Sequence, residues 1–499
     1  VVTIALPIEA RELDNTFLDK VQVTHNGMFI FPSDEEISGG DLLAVIDYHR
    51  LHIRPKYLRD RRYFEGQHDI LNRPPKAAYK PDNRLIINFP KKAVTSFNGF
   101  FIGTPVKIDS PDDTTDKTIT NWENINNFED ICSEVSKDSS VYGRAYFYVY
   151  QDENGQPCVI NCDPLNTFII HDDTMAHRPK YGVQYVYDNQ GIMHVSLIDA
   201  KVNRTLLMNG SSANYFDQAA AVANPYPIEP IIEVAENDER MGMCEDIFSL
   251  FDALDKAMSE KANDVDYFAD AYLKIINATV SKEARKEMRD NRIINAIGDD
   301  ASSVDVDFLA KPDADETQEH LVDRLVDYIY QIANVTNMND EAFAGNPSGV
   351  TLKLKYQPMK DMADTKALKF KKALRDVFQC VFSVVEKTDA DAWQQLEFKF
   401  TQSVPQNLLE EAQAVSYLYG KISKKTLYSQ LPFIDDPDEE IKQMRAEQQA
   451  DQQRTGNLVQ QYLTDQQKNG GDTNANSKPA TSPDSSVDQS GQPNRSTNG

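Results

Sequence analysis

The chain has 499 residues, 40% hydrophobic and 26% charged, with a formal net charge of −26. That length predicts several domains of a soluble globular protein, and no apolar run approaches the roughly twenty residues of a membrane helix. The charge excludes a protein that grips DNA over its whole surface, because phosphate neutralisation needs a basic face. It fits both an acidic wall past which DNA slides and a surface kept soluble by repulsion.

Residues 1–14 lack a basic stretch followed by an apolar one, so no secretory signal is expected there. A helical pattern runs from Asp41 to Phe64, with an interruption expected at Pro55. After Leu85-Ile86-Ile87-Asn88-Phe89, Pro90 opens a helix to about Ile102, with Ala93, Val94, Phe97, Phe100 and Phe101 as its apolar side. Another is expected from Trp122 to Lys137, on Ile125, Phe128, Ile131 and Val135.

From Tyr142 to Val234 the period is two, which predicts an antiparallel meander. Asn154-Gly155 turns one hairpin, because the turn needs positive φ, and Asp188 to Gly191 turns a second. Cys158 and Cys162, four apart in a strand, share a face and are expected in a core rather than on a metal. The five cysteines read as reduced thiols.

Helices then return. Ile247, Leu250, Phe251, Leu254, Met258, Val265 and Phe268 form one stripe. Strand-like runs at 272–276 and 304–309 flank a basic helical stretch, Ser281 to Arg292. A helix with Leu321, Leu325, Ile329 and Ile332 follows. The Gly/Pro/Asn loop Phe343-Ala344-Gly345-Asn346-Pro347-Ser348-Gly349 must turn the chain at an exposed tip. A long helix runs from about Ser348 to Lys387, with Leu352, Tyr356, Met359, Ala363, Ala367, Phe370, Leu374, Val377, Val381 and Val384 on one side. Pro358 lies inside it and predicts a kink, because proline lacks the N–H that would reach the Leu354 carbonyl.

Leu396 to Phe400 reads as a strand returning to the meander. A helical region opens at Pro405, Gly420 ends its first helix, and Asp436-Pro437-Asp438-Glu439 starts another. From about Gln467 the chain has almost nothing apolar and is expected to be disordered.

The chemistry-bearing residues form no persuasive catalytic set. There is no G-x-x-x-x-G-K-[ST], H-E-x-x-H or G-x-S-x-G. Asp305 and Asp307 share a strand face and offer a weak divalent-ion site of the nuclease kind, against the reading of surface acids. His49 and His52 are expected on a solvated helix face. Lys353, Lys355, Lys360, Lys366, Lys369, Lys371 and Lys372 are spread around the long helix and cannot all face one partner. Pairing with acids of a neighbouring subunit, contact with DNA near the loop and solubility all stay open for them.

Three motifs stand in a shared order: the run from Asn88 to Val106, "YGRAYFYVYQDENG" and "SGVTLK". They resemble N-x-P-K-x-x-V…F-x-G-x-P-V, GxAYxxVYxDExG and SG-x-[AT]-L-K of the tailed-phage portal proteins of the Gram-positive-phage family. The resemblance spans roughly residues 40 to 450. It implies an α+β portal-type fold: long stem and tunnel helices, a mixed α/β wing with antiparallel strands, a small α/β clip and a helical crown. Mapped onto this sequence it implies an N-terminal segment 1–40, wing 41–242, stem helix 243–271, clip 272–314, stem helix 315–336 and tunnel loop 337–350. A kinked tunnel helix with a returning wing strand (351–403), crown (404–466) and tail (467–499) complete it.

The tunnel loop would offer Asn337, Asn339, Asp340, Glu341, Phe343, Asn346, Ser348 and Gly349 to the DNA channel, with the kink at Pro358. The clip would dock terminase through Lys282, Arg285, Arg289 and Arg292. The implied function is a ring of about twelve subunits at one capsid vertex, passing double-stranded DNA in packaging and ejection. A head-completion (adaptor) protein, the major capsid protein and scaffolding protein are the other implied partners. No catalytic residue, cofactor, metal or membrane is implied. The setting is the virion, with the host cytoplasm during assembly. A metal-dependent nuclease or another virion structural protein are the alternatives.

Overall fold

A computed structural model describes residues 16–77, 80–208, 217–269, 273–276, 305–308, 315–337, 349–385, 389–402, 415–428 and 437–469, with the single residues 413, 431 and 434. The chain divides into two units, Val1–Pro405 and Gln406–Gly499.

In the first unit, strands β1 (Thr16–Leu18), β2 (Val21–Val23) and β3 (Phe29–Phe31) precede α1 (Gly39–Tyr48), a π-helical turn (His49–Ile53) and α2 (Arg54–Phe64). Then come α3 (Phe89–Ile102), β4 (Lys107–Asp109), α4 (Asp113–Asn126) and α5 (Phe128–Tyr142). Eight strands follow: β5 (Arg144–Gln151), β6 (Pro157–Cys162), β7 (Thr167–Asp172), β8 (Pro179–Tyr187), β9 (Met193–Ile198), β10 (Val202–Met208), β11 (Asp217–Ala223) and β12 (Ile231–Ala235). The unit continues with α6 (Phe248–Ala269), β13 (Leu273–Ile276), β14 (Asp305–Phe308), α7 (Asp315–Ile332), α8 (Gly349–Val384) and β15 (Glu397–Lys399).

The strands do not form one meander. One sheet has eight strands in the order β1-β2-β3-β7-β8-β9-β10-β11, and a second has the order β12-β5-β6. The eight-stranded sheet is antiparallel except where β3 pairs with β7 in parallel, Phe29 opposite Ile170. The strands β1 to β3, from the segment before residue 41, are thus part of the same sheet as β7 to β11.

Period-two alternation explains how this sheet is covered on both faces. Phe168 and Ile170 point to the side packed by Leu42, Val45 and Ile46 of α1. Ile169, between them, points to the second sheet, against Tyr146, Cys162 and Ile231. Cys162 is buried and Cys158 half-buried, and all five thiols are free. Both expected hairpins form, with Gly155 at φ 77° and Gly191 at φ 80°.

Local chemistry fixes the helix ends. Ser38 and Asp41 make a reciprocal capping box at α1. Pro55 stands in the first turn of α2 and is tolerated there, so the interruption falls in the π-helical turn just before it. The helix expected at 122–137 is two helices, because Asn127 adopts a left-handed conformation (φ 50°) and ends α4. Ile125, assigned to a buried stripe, is consequently exposed. β15 pairs with β4, Phe398 opposite Ile108, and not with the long strands.

The main core is built by α3, α5, β5 and the long helix α8. Tyr356, Met359, Ala363, Ala367, Phe370, Leu374, Val377 and Val381 are all buried in it, as their spacing predicts. In the second unit the chain turns at Gly420 (φ 79°), and α9 (Lys424–Tyr428) and α10 (Pro437–Asn469) follow, so the helix extends past Gln467.

Candidate functional site

Helices α6 and α7 leave the main core as a pair, with Leu254, Leu325 and Ile329 buried and Lys261 ion-paired to Glu319. Strands β13 and β14 pair antiparallel, Lys274 opposite Asp307. One face of α6 is a polar ladder. Asp255 Oδ1 accepts from the Ile87 N–H at 2.8 Å, Ser259 Oγ from the Leu85 N–H at 2.9 Å, and Asn263 Oδ1 from the Asn83 N–H at 2.7 Å. Four residues of helix rise about 6 Å and two residues of extended chain about 6.6 Å, so the two repeats stay in step. Asp255 also receives His68 Nδ1 at 2.5 Å, both side chains being fully buried, while His68 Nε2 lies 3.1 Å from the Tyr63 carbonyl.

The chain enters α6 through a tightly held strap. The Glu236 N–H bonds the Gly143 carbonyl at 2.9 Å, and the Met243 N–H bonds the Ser140 carbonyl at 2.8 Å. Gly143 has φ 84°, and a Cβ there would collide with the Arg240 carbonyl. Arg240, itself left-handed at φ 56°, grips Glu233 through two bonds of 2.9 and 2.8 Å. Burial alone would raise the Glu233 carboxyl, but Arg240 and Arg144 outweigh it and bring it to about 2.

Glu236 anchors the long helix. Lys366 Nζ lies 2.7 Å from Glu236 Oε2, from the Ser136 carbonyl and from Ser140 Oγ. It also faces the rings of Phe97 and Phe101 at 5.4 Å. Burial lowers the ammonium from its ordinary value against the pull of Glu236. The other lysines of α8 are largely committed within the chain as well. Lys360 pairs with Asp364 and Lys369 with Asp238, while Lys371 lies over the Phe400 ring.

Pro358 lies inside α8, which continues through it. Just after α7, Thr336 reaches this point: its Oγ1 donates to the Lys355 carbonyl at 3.0 Å, and its N–H approaches Met359 Sδ at 3.3 Å. The two helices that flank residues 338–348 are therefore fastened to each other at the proline.

Beside this fastening lies a cleft of about 830 Å³ between the strap, the end of α7 and α8. Met241, Met243, Ile332, Leu354, Pro358 and Met362 give it an apolar lining. Glu236, Glu239, Asp246 and Asp361 are its charged residues.

Of the residues expected at the DNA channel, Asn337 directly follows the Thr336 fastening and Gly349 begins α8. Asn339, Asp340, Glu341, Phe343, Asn346 and Ser348 lie outside the described residues, as do Lys282, Arg285, Arg289 and Arg292. Asp305 and Asp307 stand in β14. His49 is not on a solvated face: it is buried, with Nδ1 2.9 Å from Tyr185 Oη, and burial brings it down to about 3. His52 is exposed. Sequence reasoning missed the α6 ladder, although Asp255, Ser259 and Asn263 recur at intervals of four, the signal of a single helix face.

A family described as "Phage portal protein, SPP1 Gp6-like" matches residues 43–454. The "Portal protein" of Bacillus phage SPP1 is 23% identical over 427 residues, covering 79% of this chain and 82% of that protein.

Proposed function

The chain belongs to the SPP1 Gp6-like family of phage portal proteins, and on that premise we propose that about twelve copies close into a ring at one vertex of the capsid. A portal is a structural protein of the virion; DNA is its cargo. The observation that supports the reading is the match over residues 43–454, which takes in β4 to β15 and α2 to α8. In the ring, α6 and α7 act as the stem, β13 and β14 belong to the clip, and α8 is the tunnel helix.

The channel works by weak contact. Counterion release scales with the phosphates neutralised, and Lys360, Lys366 and Lys369 are already paired within the chain. The net charge of −26 acts in the same direction. Residues 337–350 meet the duplex during packaging and ejection, and the Thr336 fastening sets where that loop starts. Lys282, Arg285, Arg289 and Arg292 of the clip receive terminase and later a head-completion protein. Capsid and scaffolding proteins meet the outside of the ring during assembly in the host cytoplasm.

Native mass spectrometry with negative-stain imaging of the purified chain tests this reading. A closed ring with an axial hole is expected. Monomer or dimer alone at micromolar concentration, in several salts, overturns it.

A further inference from the structure

The cleft beside Pro358 has a chemistry of its own. Leu354 is 69% exposed and Ile332 48%, so large apolar side chains stand open at its mouth. Leu321, Tyr328 and Ile332 lie seven and four residues apart on one face of α7, and all three are exposed. They draw an apolar line along the helix that runs into the cleft.

The charge is one-sided. Glu236 is neutralised by Lys366, but Glu239, Asp246 and Asp361 are exposed and have no ion pair among the described residues. Donors lining the cleft are largely spent: Asn237 on the Met241 carbonyl, Gln357 on Asp361, and Thr365 on the Asp361 carbonyl. The Leu354 carbonyl also lacks its helical donor, since Pro358 has no N–H. The cleft therefore favours a ligand that is a cation, a donor and apolar along its stem, which describes a lysine or arginine side chain.

We propose that this cleft seats a Lys or Arg side chain of a second copy of this chain, as a contact between neighbours in the ring. The inference rests on the ring reading. DNA is a poor occupant, because the carboxylates repel phosphate. A ring needs unlike surfaces on opposite sides of one subunit. Leu354, Asp361 and Leu368 lie about 200° around α8 from Tyr356, Ala363 and Phe370. The latter face packs α3, whose Phe100 stacks on Tyr356 at 6.0 Å. On the outer side of α3, Lys91 is exposed and without an ion pair among the described residues. The acidic cleft thus lies on one side of the long helix, and α3 with its exposed Lys91 packs on the other, as a head-to-tail contact requires.

The experiment compares the full wild-type chain with Glu239→Lys/Asp246→Lys/Asp361→Lys by native mass spectrometry and sedimentation, with circular dichroism to confirm folding. All three positions are exposed, so the variant keeps its fold. The concentration at which half the chains are in rings is expected to rise at least about tenfold, as for reversal of interfacial charge. Added salt is expected to weaken the wild-type ring. A photo-crosslinking amino acid at Leu354 is expected to join two copies. A folded variant with wild-type ring stability, or a Leu354 probe that never crosslinks a second copy within intact rings, overturns the proposal. A wild-type chain that forms no ring is a separate outcome and overturns the ring reading.

Discussion

Replacing Lys366 by methionine is expected to destabilise the protein more than losing a surface ion pair would, and replacing its partner as well is expected to restore most of the loss. Lys366 and Glu236 are both buried, their Nζ and Oε2 2.7 Å apart. In Lys366→Met the Glu236 carboxylate keeps Ser139 Oγ at 2.9 Å and Ser140 Oγ at 3.2 Å, but has no counter-ion. A buried charge stranded in this way costs roughly 3–5 kcal/mol. In Lys366→Met/Glu236→Gln no charge remains, methionine fills the lysine stem's place beside Phe97 and Phe101, and glutamine still meets the serines. Such replacements of a buried pair are neutral or stabilising by about 1–4 kcal/mol. Glu236→Gln alone leaves the ammonium stranded. Burial already lowers Lys366 from its ordinary value, so the unfolded chain then binds a proton that the folded one sheds. That variant should gain stability as pH rises from neutral toward the ordinary lysine range. Calorimetric unfolding of the four proteins reads the order directly. A double variant no more stable than Lys366→Met would refute the reasoning, because packing and not a stranded charge would then carry the loss.

Burial, then Glu245, pushes Asp60 up to about 7 from 3.8, so its contribution is favourable at low pH and lost as pH rises through about 7. Asp60→Asn should stabilise at pH 8, by no more than about 4 kcal/mol, and lose that advantage at pH 4; equal effects at both, by thermal unfolding, would contradict this. Asp255→Ala strands the Ile87 N–H and the His68 ring, and should cost about 1–3 kcal/mol for each group, measured by denaturant unfolding. Gly143→Ala meets both a positive φ and the Arg240 carbonyl, so it should destabilise by at least about 1–3 kcal/mol; a neutral result would show that the strap yields. Thr336→Val removes the bond to Lys355 and about 1 kcal/mol. Amide exchange around residues 355–362 should accelerate while the eight-stranded sheet keeps its protection.

Apolar periodicity carried the reading where one element buries one face in its own chain. The long helix is the clearest case, since every described position of its predicted stripe from Tyr356 to Val381 is buried. It failed where a backbone conformation intervened, as at Asn127, which no apolar pattern encodes. It also failed where partners lie far apart in sequence. The pairing of β15 with β4 joins residues near 398 and 108, and nothing local to either strand specifies the other. The stripes of α6 and α7 are covered near the core but exposed at Val265 and Leu321. Of the candidate site, the position of Pro358 inside a long helix was legible from the sequence. The strap, the Lys366 pair and the α6 ladder were not, because each is a polar contact across the fold and periodicity registers only apolar faces.

The parallel pairing of β3 with β7 has a consequence for how the chain is made. Phe29–Phe31 pairs locally with β2 but must wait for Thr167–Asp172, more than a hundred residues later, before its second neighbour exists. At about 5–20 residues per second the ribosome leaves that edge of the strand, the one away from β2, unpaired for several seconds or longer. In that interval Phe29, Ile30 and Phe31 are an adhesive segment on a nascent chain, in a protein made in many copies for one assembly. Phe29–Phe31 is thus the place where slowed translation, or loss of a holding chaperone, would first be felt as aggregation.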